Sequence, residues 1–199
     1  MTKEVFPSTR GLTDDEISGK KATVLDPELD NWVHSREPED DDVEKGDIIA
    51  VLGFDKGYLK VRMQDGSIVD RKGGTISWRH NNPGNLKYGE FTQAAGSVGV
   101  GHAGHAVFPN YQKGLEAQKK LLFTDARGYN ELTLLKAIQK YAPVDDPDAD
   151  NEPTKYAMFI AKQVGISTGA VLNTLSEEQQ TKMVEAMSQY EGWKEGDVE

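Results

Sequence analysis

Glu191 stands after Tyr190 and two residues before Trp193, where a stretch of helical spacing runs out. A carboxyl among aromatic rings loses solvation, and at the C-terminal end of a helix it meets the negative end of the dipole. Both effects disfavour its charged form and suit it to donate a proton near neutral pH. The local sequence by itself favours a plainer reading, a polar side chain at a frayed helix end. Glu90, in Tyr88-Gly89-Glu90-Phe91, is a second candidate acid, set against a solvated loop glutamate. Glu37 is a third, but it opens the run Glu37-Pro38-Glu39-Asp40-Asp41-Asp42, which reads as solvated linker. Asn81, Asn82 and Asn85, in Asn81-Asn82-Pro83-Gly84-Asn85, offer amides to a ligand. Asn, Pro and Gly also form turns, and the two roles are compatible.

Other constellations carry less. His102 and His105 lie three apart with no firm third ligand, which makes a weak metal site. Asp146, Asp148 and Asp150 imitate the opening of a calcium loop, yet Asn151 and Ala157 occupy the positions that want Gly and Glu. A solvated acidic loop is the better reading, and neither a metal nor another cofactor is expected. Cysteine is absent, so thiol chemistry and disulfides are excluded. The net charge of −10 argues against nucleic acid as partner. No apolar stretch is long enough to span a bilayer. The opening MTKEVFPSTRGLTDDEISGK lacks the apolar core of a secretory signal.

The elements that must position these residues follow from pattern. Residues 1–46 are polar and acidic and read as a linker, with one short helix over Pro27 to Val33. Asp47 to Leu52 and Tyr58 to Met63 read as strands. Gln64-Asp65-Gly66-Ser67 is a turn, and Ser67 to Asp70 is the returning partner, which makes a small antiparallel lobe over 47–74. Residues 75–110 are rich in Gly and Asn and read as loop. Helices follow over 110–191. Asn110 and Thr133 serve as caps, Pro153 opens a helix that Gly165 closes, and Ser176 with Gln179 makes a capping box ahead of Met183, Val184, Met187 and Tyr190. The fold class is α+β, mainly helical.

Three segments taken in order resemble a known group. They are Ser77 to Lys87; Ala106 to Tyr111 with Gly114 and Leu121-Leu122; and Lys140-Tyr141-Ala142-Pro143 with Lys155-Tyr156. Together they look like the lytic domains of phage virion proteins and of type VI secretion effectors, within the lysozyme superfamily. They are also similar to bacterial glucosaminidases and lytic transglycosylases. The resemblance covers about residues 70–195. It departs at one point. In the glucosaminidases a helix ending in the catalytic glutamate precedes the asparagine loop, whereas here the ending Tyr190-Glu191-Gly192-Trp193 comes last. A circularly permuted lysozyme-like bundle accounts for the difference.

The resemblance implies a glycosidase that cuts peptidoglycan glycan strands, with Glu191 as acid and Glu90 as its rival. Asn81, Asn82, Asn85 and Tyr141 would bind the amino sugars, and Asp70 or Glu90 would be the nearest second carboxylate. The outcome would be hydrolysis, or internal attack to an anhydro sugar. The protein would be made in the cytoplasm and act in the periplasm or cell wall of a target bacterium, carried there by a secretion machine or phage. A toxin would have an immunity protein as partner. Two other classes stay open: a stem-peptide amidase or endopeptidase on the same scaffold, and a non-catalytic wall-binding or virion module.

Overall fold

The computed structural model describes residues 46–145 and 151–199. The helix read over 27–33, Glu37 with its acidic run, and the aspartates at 146, 148 and 150 lie outside the described residues. The fold is α+β. Strands β1 (Ile48–Asp55), β2 (Tyr58–Met63) and β3 (Ile68–Lys72) come first, then helices α1 (Ile76–Arg79) and α2 (Glu90–Ala94). The short strands β4 (Gly99–Val100) and β5 (Ala106–Val107) follow. Helices α3 (Tyr111–Phe123), α4 (Leu134–Tyr141), α5 (Pro153–Val164) and α6 (Glu177–Tyr190) lead to a last strand, β6 (Asp197–Val198).

The alternation in Tyr58 to Met63 puts Leu59, Val61 and Met63 on the inner face, where they pack with Ile48, Val69 and Val107. Gly57 and Gly66 take positive φ in the two turns. The sheet order is β1-β2-β3-β6, antiparallel throughout. The helical core gathers Leu122, Ile138, Ile160, Met183 and Met187, all fully buried. The two cores meet at β5, because successive strand residues face opposite ways. Ala106 joins the helical cluster and Val107 the sheet cluster.

The caps are local and sit where the pattern puts them. The side chains of Asn110, Thr133 and Ser176 accept from Lys113, Lys136 and Gln179. Pro153 opens α5, and Gly165 ends it in the left-handed region. The structure differs from expectation in two places. Residues 75–110 hold α1, α2 and the β4–β5 pair, elements too short to show a period. The tail beyond Gly192 supplies a fourth strand. No helix among the described residues is long and apolar enough to cross a membrane.

Candidate active site

Glu191 is the C-cap of α6, and its position is built by the residues after it. Gly192 turns left-handed at φ 73°. Its N–H returns to Gln189 O at 2.9 Å, and the Trp193 N–H returns to Ser188 O at 3.2 Å. This is a Schellman closure, which a glycine after the cap permits. Trp193 then packs edge-on against Tyr111, ring centroids 4.5 Å apart. Lys194 and Thr75 exchange bonds, Thr75 N–H to Lys194 O at 2.9 Å and Lys194 N–H to Thr75 Oγ1 at 3.1 Å. The chain beyond the glutamate is therefore pinned immediately ahead of α1 and the asparagine loop. The helix end is stapled, not frayed.

The asparagine loop reaches Glu191 from the other side. Asn85 adopts a left-handed φ of 48°, which Asn tolerates, and its Nδ2 donates to Glu191 Oε2 at 2.9 Å. The Tyr156 hydroxyl, from α5, donates to Oε1 at 2.9 Å. It also lies 3.4 Å from the carbonyl of Met187, a second acceptor it can turn to. Tyr156 stacks on Tyr190 with centroids 3.9 Å apart and planes 10° from parallel, so its ring is fixed while its hydroxyl rotates. Tyr141 donates to the carbonyl of Gly84 within the loop, and Gln118 Nε2 reaches the Tyr141 oxygen at 3.4 Å. Gly84 is required here, since a Cβ would stand 2.5 Å from that oxygen.

Burial pushes the Glu191 carboxyl above its usual range, and the bonds from Asn85 and Tyr156 pull it back without cancelling the rise. Tyr141 and Tyr156 are raised well above the ordinary phenol value, by burial first and by the Glu191 charge second. Both tyrosines thus remain neutral donors. Among the described residues, Asn85 and Tyr156 are the side chains that hydrogen-bond the Glu191 carboxyl.

Of the residues singled out from sequence, Glu191, Asn85 and Tyr141 come together, and Tyr156 joins them. Asn81 and Asn82 require a correction, because their side chains are buried and spend their bonds holding the loop together. Asn82 is wholly buried. Its Nδ2 donates to Leu86 O at 2.8 Å and Ala106 O at 2.9 Å, and its Oδ1 accepts from Leu86 N–H at 2.9 Å. Asn81, also buried, donates to Phe108 O at 3.3 Å and Pro109 O at 3.1 Å. Glu90 stands exposed in the first turn of α2 and makes no contact with Glu191. Asp70 lies on β3, 3.3 Å from Lys60 Nζ. His105 Nδ1 approaches His102 O at 3.2 Å, and among the described residues no three His, Cys, Asp or Glu side chains gather as a metal site.

Tyr156 escaped the sequence reading as a site residue because it falls at core spacing with Phe159 and Ile160 on α5. Its ring is indeed core, and only its oxygen serves the site. No family model matches this sequence, and no curated protein is similar to it.

Proposed function

We propose that this protein cuts the glycan strands of bacterial peptidoglycan, with Glu191 as the general acid of a circularly permuted, lysozyme-like domain. One observation carries the reading: a carboxyl at a stapled helix end, raised by burial, with Asn85 and Tyr156 donating to its two oxygens. A glycosidic oxygen is a poor leaving group and needs a proton from such an acid. The permutation is supported by Lys194, which lies on Thr75. In space the glutamate helix runs directly into the segment that opens the asparagine loop, the order the resembling glucosaminidases follow in sequence.

Glu191 enters the reaction protonated. Its proton passes to the glycosidic oxygen as the bond from that oxygen to the anomeric carbon breaks. The carboxylate left behind gains the full value of the Asn85 and Tyr156 bonds, since both groups donate best to the charged form. They are therefore stronger in the transition state than in the ground state. In this route the electron-deficient carbon is captured by the sugar's own 6-hydroxyl. A carbon–oxygen bond forms, and the hydroxyl proton returns to Glu191. No water is consumed, and one product carries a 1,6-anhydro end.

Mass spectrometry of fragments released from purified peptidoglycan tests this. The wild type should release disaccharide-peptides ending in anhydromuramic acid, and Glu191→Gln should lower the rate by roughly 10²–10⁴-fold. Reducing ends would mean that water replaces the 6-hydroxyl. Free peptides with intact glycan would make the protein an amidase or peptidase. No fragments from folded protein would leave a binding module.

A further inference from the structure

His80 caps the C-terminal end of α1 and is wholly buried, yet neither of its ring nitrogens meets a hydrogen-bond partner among the described residues. A neutral imidazole carries one N–H and a protonated one carries two. The protonated ring is the costlier to keep where water is excluded. The charged or titratable groups that face it are all basic: His105, Arg79, His102 and Arg71. They come from the hairpin of β4 and β5, from α1 and from β3. Burial first, and these neighbours second, hold the His80 imidazole down at about 3. The His105 ring lies 6.4 Å from it, centroid to centroid. It too is lowered, by burial first and then by Lys87, although the His102 carbonyl pulls the other way.

The hairpin seals the ring. The backbone of Gly101 lies directly on it, so that a Cβ there would stand 2.5 Å from His80 Nε2. The tip beyond is strained, because Ala103 takes a left-handed φ of 55° ahead of Gly104 at 73°. That hairpin is also fastened to the chain leaving Asn85. Lys87 Nζ donates to Ala103 O at 3.0 Å, Tyr88 N–H to Gly104 O at 2.9 Å, and Ala106 N–H to Leu86 O at 2.8 Å. Lifting the cover from His80 therefore pulls on the three residues that follow Asn85.

We propose that the β4–β5 hairpin is an acid-released latch: protonation of His80, with His105 beside it, drives residues 101–105 off the ring and loosens the asparagine loop that holds Glu191. An exposed ring takes its proton at the ordinary 6.5, and the sealed ring only at about 3. The closed latch has its full stability above pH 6.5 and loses it as pH falls towards about 3. At pH 4.5 the opening equilibrium should stand roughly 100-fold above its value at pH 8.

Hydrogen exchange provides the test, read as protection factors so that the pH dependence of exchange itself cancels. The amides of Tyr88, Gly101 and Ala106 report the latch, and strand β2 is the internal reference. In the wild type, protection at the three amides should fall roughly 100-fold from pH 8 to pH 4.5, with β2 level. In His80→Leu most of that fall should vanish, and in His105→Gln a part of it. Protection that holds at pH 4.5, or that falls as far in His80→Leu, would overturn the latch. So would a loss shared equally with β2, which means general acid unfolding. If His80→Leu does not fold, the Cε1–H resonance of His80 in the wild type decides. It should titrate only together with the amides, and a ring that gains its proton under a protected hairpin overturns the proposal. These readouts use no activity, so the latch and the glycan-cleaving reading fail separately.

Discussion

At the scale of single residues, Glu191 is held by forces of opposite sign, and each can be removed separately. Asn85→Ala takes away a bond that favours the carboxylate. The alkaline limb of kcat/KM, where the acid loses its proton, should therefore move to higher pH. On the plateau kcat should fall roughly ten- to hundredfold, because the emerging charge loses a donor. A pH–rate profile checks both directions. Stability moves the other way when the charge itself is removed. The folded chain keeps a proton on Glu191 above pH 4.5, the ordinary carboxyl value, where the unfolded chain releases it. That contribution is complete below the unfolded value and is lost as pH rises through the folded one. Glu191→Gln should therefore melt a few degrees higher than wild type at pH 7, with the gap closing below pH 4.5. Its amide can accept from Asn85 and donate to Tyr156, which then turns to Met187 O. The end of α6 at Glu191 was legible in sequence because a glycine after a helix is a local stop signal, whereas its candidacy as an acid came from the resemblance. Tyr156 was not, because nothing local separates a core tyrosine from one whose oxygen meets a residue 35 positions away.

At the scale of elements, the asparagine loop is positioned by what α3 omits. Gly114 lies inside that helix, where glycine is ordinarily a cost. A Cβ there would stand 2.1 Å from the carbonyl oxygen of Asn81 and 2.7 Å from Pro83. Gly114→Ala should destabilise the fold by about 1–3 kcal/mol despite its better helix propensity, seen as a fall in Tm of about 2–4 °C per kcal/mol. Activity should drop with it, since the displaced loop carries Asn85. The capped helices α3 to α6 could be read in advance because capping and helical period are properties of adjacent residues. The segments α1, α2 and β4–β5 could not. The turn after α1 and strand β5 are tied together by the buried Asn81 and Asn82, whose side chains bond to Phe108, Pro109 and Ala106 backbone far along the chain. The same residues that read as ligand-binding amides proved to be the loop's internal scaffold.

At the scale of the molecule, sheet and bundle meet not only at β5 but along the chain through Glu191. Helix α6 belongs to the bundle and β6 to the sheet, and Glu191 lies between them. Strand β6 has neither length nor alternation in Lys194 to Val198, so it could not be read from sequence. It exists because β3 presents an open edge and Gly196 lets two backbones meet: a Cβ there would lie 2.2 Å from Lys72 O. Removing residues 196–199 should expose the Asp70 amide, which donates to Glu199 O at 2.8 Å, and hydrogen exchange at that position should accelerate. The lost ladder should cost about 2–3 kcal/mol, at roughly 1 kcal/mol per bond. Cleavage should weaken in parallel as the residues after Glu191 lose their anchor.

The pairing of Arg71 with Val198 also sets an order of events during synthesis. A chain made from its N-terminus completes β1 to β3 and the asparagine loop long before their partner strand exists. Glu191 can be set against Asn85 only after α6 has been made, and it is locked there only when the residues past Trp193 find β3. The pairing of Glu191 with Asn85 thus forms only after the first three strands and the asparagine loop have been made, and a chain that stops short of α6 carries the loop without its carboxyl partner.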